Sequence, residues 1–290
     1  MIVLFLPMLL NDFKKKFNDS LKGDYPQTEI NSFFRHLTDF YFQWPPTFLA
    51  LNPRYTLDEA ALEKLSSALN ELKQHKPLQY ILGEAHFYGR RFYVDERVLI
   101  PRPETEALVD WILTDHSEQE KAVDVLEVGA GSGCIGVNLA KENARFNVEA
   151  IEVSESALTV ARQNASLHEV KVDFILQDLR ALEVWKKPLD VVVSNPPYIE
   201  PDEKKEMLPN VLNHEPHLAL FTPKKDPLYF YKKIIVLAQA SLKSNGGLYL
   251  EINPKYYRAL KTFINNKNFK DIEVRNDIFG KKRMLKALRS

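Results

Sequence analysis

The sequence predicts an α/β protein: a parallel sheet covered by helices on both faces, preceded by an all-α segment. Three observations carry that expectation. From residue 122 onward, short apolar runs alternate with amphipathic stretches, the pattern of parallel strands joined by crossover helices. Residues 11 to 82 show helical periodicity instead, with no strand signal. Between them, Phe87-Tyr-Gly-Arg-Arg-Phe-Tyr-Val94 alternates aromatics around a glycine, which marks a hairpin joining two domains. The expected boundaries are 1–82 for a helical bundle, 83–100 for the hairpin linker and 101–290 for the sheet domain.

In the first segment, Asn11 to Leu21 forms one short helix. Thr28 is the expected cap of a second, where Ile30, Phe33, Phe34, Leu37, Phe40 and Tyr41 recur at helical spacing and read as core. Thr56-Leu-Asp-Glu59 has the form of a capping box, and Leu57, Ala61, Leu65, Ala68, Leu69 and Leu72 follow on one face. His36 and His75 stand alone in the sequence and are assigned no chemistry. The leader Met1 to Leu10 is apolar but lacks a positive n-region and a small-residue cleavage site, and it is too short to span a bilayer. It reads as a buried or frayed end, not a membrane anchor.

In the second segment, Ile100-Pro-Arg-Pro-Glu-Thr-Glu106 opens a helix, with its acidic residues in the turn where the helix dipole favours them. Strands are expected at 122–128, 148–153, 172–176, 189–193 and 247–252, with closing strands at 271–278 and 283–288. Helices fall at 134–141, 157–167, 227–242 and 254–264.

Composition limits the function. The 290 residues are 45% hydrophobic and 27% charged, enough for a sizeable core. Lys plus Arg and Asp plus Glu number 39 each, so no global field steers the chain to nucleic acid or to anionic membrane. One cysteine, Cys134, excludes an internal disulfide and leaves no thiolate cluster for a metal; a reducing cytoplasm fits. Lys281-Lys-Arg283 reads as a solvated basic turn.

Two stretches carry chemistry. Glu127-Val-Gly129-Ala-Gly131-Ser-Gly133 joins the first sheet strand to its helix, where glycines let backbone N–H groups approach a ligand. Gly131, Gly133 and Gly136 also satisfy the dinucleotide fingerprint, and Glu152 lies 21 residues past Gly131, placed for ribose hydroxyls. On these two features a nicotinamide enzyme and an S-adenosylmethionine enzyme are equally well supported. Asp178 follows the third strand, placed either for an adenine amino group or as the cap of the turn from Leu179 onward. The second stretch is Ser194-Asn195-Pro196-Pro197-Tyr198, after the apolar run 189–193. Its prolines end the strand abruptly. Asn195 is thereby held extended at a strand's carboxyl end, where open α/β sheets bind ligands. Its carboxamide oxygen and the Pro196 carbonyl are two acceptors for the hydrogens of a planar NH2 group. Glu127 before the first glycine, together with Asn195 beside the cofactor, favours S-adenosylmethionine. The sequence also offers no hydride-acceptor site.

Lys76-Pro-Leu-Gln-Tyr-Ile-Leu-Gly83, Phe87-Tyr-Gly89, Ile100 to Glu106, the glycine loop, Asn195 to Tyr198, Glu215-Pro216 with Ala219-Leu220, and Asp226-Pro-Leu-Tyr-Phe-Tyr231 together resemble the release-factor glutamine methyltransferases, the HemK/PrmC family. The resemblance implies a class I, Rossmann-like methyltransferase domain with a seven-stranded sheet, behind a five-helix N-terminal domain that recognises the release factor. It implies methyl transfer from S-adenosyl-L-methionine, leaving S-adenosyl-L-homocysteine, to the side-chain amide nitrogen (N5) of the glutamine in the Gly-Gly-Gln motif of class 1 peptide chain release factors. It assigns cofactor binding to Glu127, Gly129, Ala130, Gly131, Ser132, Gly133, Glu152, Asp178, Leu179 and Asn195. Substrate binding falls to Asn195, Pro196, Pro197 and Tyr198, and catalysis to Asn195, Pro196 and Tyr198, with Tyr198 packed against the substrate amide. A cytoplasmic monomer is expected, with no metal, no membrane and no direct nucleic-acid substrate. Glu152, Leu179, Phe221-Thr-Pro-Lys-Lys225 and Asn253 depart from the commoner family residues. Two rival readings are an adenine-N6 methyltransferase, which needs a flipped base and a positive channel, and a catalytically idle adaptor that docks the release factor or the ribosome.

Overall fold

The computed structural model describes residues 8–290, so the reading of residues 1–7 as a buried or frayed end lies outside the described residues. Two compact units are present. One runs to Gly83 and includes Leu208–His214; the other comprises Glu84–Met207 and Glu215–Ser290.

The first unit is built from β1 (Met8–Leu9), α1 (Leu10–Leu21), α2 (Gln27–Phe42), α3 (Phe48–Leu51), β2 (Thr56–Leu57), α4 (Glu59–Lys73) and α5 (Leu78–Leu82). Its core is Leu10, Phe13, Phe17 and Leu21 of α1 against Ile30, Phe34 and Leu37 of α2 and Leu65, Leu69 and Leu72 of α4. These are the positions that a 3.6-residue repeat brings to one face. Phe40 belongs to the same sequence stripe but is exposed.

Three local expectations are corrected. A strand pair does occur: Met8 opposes Leu57 and Leu9 opposes Thr56, antiparallel. That pairing claims Thr56, so the cap of α4 is Asp58, whose side chain accepts from Ala61 N at 2.7 Å. Thr28 lies inside α2, whose first turn starts on Pro26; the Pro26 carbonyl accepts from Ile30 N at 3.1 Å.

The second unit begins with the hairpin β3 (Glu84–Phe87) and β4 (Arg90–Tyr93) and continues with α6 (Pro103–Asp115), β5 (Val123–Val128), α7 (Cys134–Glu142), β6 (Phe146–Glu152), α8 (Glu155–Leu167), β7 (Asp173–Leu176) and β8 (Leu189–Ser194). After α9 (Pro209–His214), which groups with the first unit, come α10 (His217–Leu220), α11 (Tyr229–Ser241), β9 (Leu242–Glu251), α12 (Tyr257–Asn265), β10 (Phe269–Asn276) and β11 (Lys282–Arg289). The seven strands run in the order β10-β11-β9-β8-β5-β6-β7. Pairs among β5 to β9 are parallel, while β11 is antiparallel to both β9 and β10.

Both faces of the sheet are covered, which is why the middles of β5 and β8 run Val125-Leu126 and Val191-Val192-Val193 without a polar break. Val123, Val125, Val191 and Val193 pack under α6 and α7. Leu126, Val128, Val192, Leu248 and Leu250 pack under α11 and α12. Successive strand residues therefore serve opposite cores. Strand order reverses between β5 and β8, since β6 and β7 lie to one side and β9 to the other. This is the switch point at whose carboxyl edge α/β sheets hold ligands.

Candidate active site

Register decides what meets at the switch point. Val125, Leu126 and Glu127 pair with Val191, Val192 and Val193, so β5 and β8 end level. The glycine loop leaves one strand where the Asn195 turn leaves the next. Both line one cleft, with Glu127, Gly129, Ala130, Gly131, Ser132, Glu152, Asp178, Leu179, Asn195, Pro196 and Pro197 among its walls. Gly133 is not among them. It caps α7 with φ 77°, and a Cβ there would meet Ala161 Cβ and Phe174 Cζ at 3.2 Å, so glycine serves the turn and the packing behind it.

The loop is held by backbone and carboxylates. Gly129 N and Ala130 N donate to Ile151 O at 2.9 and 3.1 Å, and Gly131, with φ 53°, donates to Glu152 Oε2 at 3.0 Å. Glu152 Oε1 accepts from Val153 N at 2.9 Å and Ser154 N at 3.1 Å. Three of about four lone-pair directions are thus in use, leaving room for one further donor such as a ribose hydroxyl. Glu127 is buried, and its Oε2 accepts from Gly136 N at 3.0 Å. Burial pushes its carboxyl up to about 8, reinforced by the charge of Glu152 and opposed by the Gly136 N–H.

Asp178 accepts from Arg180 N at 2.8 Å, capping the turn Leu179–Ala181, and pairs with the Arg180 guanidinium at 2.7 Å. Hydrogen bonding from Arg180 holds the Asp178 pKa below the ordinary carboxylate value. Of the two sequence readings of Asp178, the turn cap is seen directly, and its side of the turn also lines the cleft. Cys134, also in the wall, has its thiol pushed up to about 12, chiefly by burial and then by Glu127, so it is no nucleophile. Among the described residues no histidine lines the cleft.

Asn195 sits half-buried, and its Nδ2 donates to Thr105 Oγ1 at 3.2 Å. Tyr198 departs from expectation. It is not a wall of the cleft; its hydroxyl donates to Glu251 Oε1 at 3.0 Å, and its ring packs with the core under α11. A largely buried phenol needs an acceptor, and Glu251 supplies it.

Other residues that build the site were given no role there by the sequence. Asn164, fully buried on α8, takes Tyr93 N at 2.7 Å and gives Nδ2 to Tyr93 O and Ser132 O, tying hairpin to glycine loop. Glu215 accepts from Ile100 N at 3.2 Å and from Arg102 at 2.5 Å, fixing the strap that leads into α6. Arg283, expected in a solvated turn, instead pairs with Asp277 at 3.2 Å, its side chain only 16% exposed.

Sequence comparison finds similar proteins. The chain is 42% identical, over 97% of its length and 99% of theirs, to the release factor glutamine methyltransferase of Flavobacterium psychrophilum. The chain belongs to the release factor glutamine methyltransferase family. A second member, from Bacteroides thetaiotaomicron, is 36% identical over 97% of this chain and 100% of its own. Within the family frame, the methyltransferase small domain model matches residues 105–218 and the PrmC N-terminal domain model matches residues 12–83. The fold is the class I methyltransferase fold: a methyltransferase from Pyrococcus furiosus superposes with TM-score 0.52 at 17% identity, covering 70% of this chain and 91% of that one. Among the described residues no cluster of three or more His, Cys, Asp or Glu could hold a metal, and no helix is long and apolar enough to cross a membrane.

Proposed function

We propose that the chain methylates the side-chain amide nitrogen (N5) of the glutamine in the Gly-Gly-Gln motif of class 1 peptide chain release factors, using S-adenosylmethionine. The observation that carries this reading is the level ending of β5 and β8, which opens the glycine loop and the Asn195 turn into one cleft. Family membership supports the substrate assignment.

The donor set suits S-adenosylmethionine. Positive-φ glycines expose backbone, buried Glu127 stands near the loop, Glu152 keeps an acceptor direction open, and Asp178 and Leu179 offer a polar edge and an apolar wall. Bound there, the cofactor supplies an electrophilic methyl group on a sulfonium. The chain's own task is then orientation, because an amide nitrogen is a poor nucleophile whose lone pair is delocalised. With Asn195 Nδ2 given to Thr105, Oδ1 lies on the opposite arm of the planar amide. Oδ1 and the Pro196 carbonyl each accept one substrate N–H and hold the nitrogen in line with the methyl. Orientation of this kind contributes roughly 7–11 kcal/mol where near-attack geometry is kept. Tyr198 holds the turn from behind and does not touch the amide. The helical unit recognises the release factor, a role supported by its match to the N-terminal domain model of the family. The protein works as a cytoplasmic monomer.

Incubation of a class 1 release factor with the protein and labelled S-adenosylmethionine, followed by mass spectrometry, tests the reading. The label belongs on the Gly-Gly-Gln glutamine. Label on nucleic acid instead, or none on the protein, refutes it. Asn195→Ala should keep cofactor binding and lose at least a hundredfold in kcat, the scale seen when one preorganised polar contact is removed.

A further inference from the structure

We infer that Glu251, acting through Thr105, is a positioning residue that sets which end of the Asn195 amide faces the substrate; the inference rests on the function proposed above. Glu251 is the last residue of β9 and is 1% exposed. Both its oxygens are engaged: Oε2 accepts from Thr105 Oγ1 at 2.6 Å and Oε1 accepts from Tyr198 OH at 3.0 Å. Its two donors come from α6 and from the turn after β8, far apart in sequence.

A threonine hydroxyl has one hydrogen. Thr105 gives that hydrogen to the carboxylate, so its oxygen is left as an acceptor toward Asn195. Only the Nδ2 end of the amide can satisfy it, and Nδ2 lies 3.2 Å away. The opposite amide orientation would bring Oδ1 against a lone pair and would turn an NH2 group, instead of an acceptor, toward the cleft. The two ends of an asparagine amide are nearly isosteric, so shape alone does not choose between them. The carboxylate makes that choice two bonds away. The same group fixes Tyr198, three residues after Asn195, so the turn is anchored on both sides by one buried carboxyl group. A buried carboxylate is costly unless its lone pairs are used, and here each oxygen has a hydroxyl donor.

The test compares wild type, Thr105→Val, Thr105→Ser and Glu251→Met in methylation of a class 1 release factor, with calorimetric binding of S-adenosylhomocysteine and thermal melting alongside. Thr105→Val and Glu251→Met should each lower kcat by about tenfold to a hundredfold while the S-adenosylhomocysteine Kd stays within about twofold. Thr105→Ser, which keeps the hydroxyl, should recover most of kcat. The double variant should be little worse than either single one, because both break the same chain. Should Thr105→Val fail to fold, the Glu251→Met signature decides alone. Near-normal kcat in Glu251→Met, a serine variant as impaired as the valine one, additive losses, or a Kd that rises in step with the loss of kcat would each overturn the inference. A wild-type protein that labels no glutamine would overturn the functional reading itself and this inference with it; an active wild type with an equally active Thr105→Val overturns only this inference.

Discussion

Ser194 Oγ donates to the carbonyl oxygen of Val128 at 2.6 Å, the side chain ending β8 closing on the backbone ending β5. Both residues are buried. The bond sits at the point where the two strands hand over to the glycine loop and to the Asn195 turn. It sets the spacing of the two halves of the site, not merely the edge of a sheet.

Ser194→Ala removes that donor and leaves a buried carbonyl unpaired. Stability should fall by about 1–3 kcal/mol, the cost of an unsatisfied buried acceptor, read by urea denaturation. The kcat should fall with it, because the loop and the turn are no longer tied. A variant with unchanged stability and turnover would show that the bond is incidental.

Gly136 lies inside α7, where glycine-to-alanine exchange ordinarily stabilises by about 1 kcal/mol. Here the sign reverses. An added Cβ would lie 2.6 Å from Glu127 Oε2 and 3.1 Å from Val148 Cγ1. Glu127 can move aside only by giving up its bond to the Gly136 N–H and shifting toward the cleft that it lines. Gly136→Ala should therefore destabilise by about 1–3 kcal/mol, as overpacking does, and weaken S-adenosylhomocysteine binding. Calorimetry and thermal melts on the same preparations check both parts.

The same buried Glu127 predicts a pH effect on the cofactor-free protein. In the unfolded chain its carboxyl titrates near the ordinary value of about 4.3, and in the fold at about 8. Between those values the native state holds a proton that the unfolded state has lost, so stability declines as pH rises through that window and levels off outside it. Glu127→Gln removes the titration. The stability difference between variant and wild type should shift in the variant's favour by a few kcal/mol from pH 5 to pH 8, followed by melts at half-unit steps. Parallel curves would mean that Glu127 ionises freely.

What could be read from the sequence, and what could not, follows from the range of each interaction. The glycine loop and Asn195 were visible because the residues that define them are contiguous, and because glycine and proline restrict the backbone locally. The parallel sheet was visible because short apolar runs, such as Val191-Val192-Val193, alternate regularly with helical stretches. Thr105, Asn164 and Glu251 were not. Thr105 stands between two glutamates and Asn164 follows Arg162 and Gln163, so nothing local singles them out, and the partner lies 146 residues away for Thr105 and Glu251 and 71 for Asn164 and Tyr93. The one available signal was a carboxylate closing the apolar run of β9, a position where a charge is expensive. Tyr198 was misplaced for a related reason: adjacency to Asn195 suggested the cleft, whereas the phenol follows its acceptor into the core. The Thr56 cap failed because a strand partner at Met8–Leu9 competes for the same backbone.

Asp178 is the residue whose two readings can be separated by experiment. It is bonded to Arg180 through both oxygens, yet it also lines the cleft, and Arg180 is 62% exposed. An ion pair held by so exposed a guanidinium contributes little and yields readily to a competing donor. If an adenine amino group takes that place, Asp178→Ala should raise the Kd for S-adenosylhomocysteine roughly tenfold, as loss of a hydrogen bond to a charged acceptor does. Arg180→Ala, which only frees the carboxylate, should leave that Kd unchanged or lower it. If Asp178 is a turn cap alone, the alanine variant binds normally and shows only a lower melting temperature. Calorimetry on the two variants distinguishes these outcomes, since the cap reading moves stability without affinity and the adenine reading moves affinity in Asp178→Ala but not in Arg180→Ala.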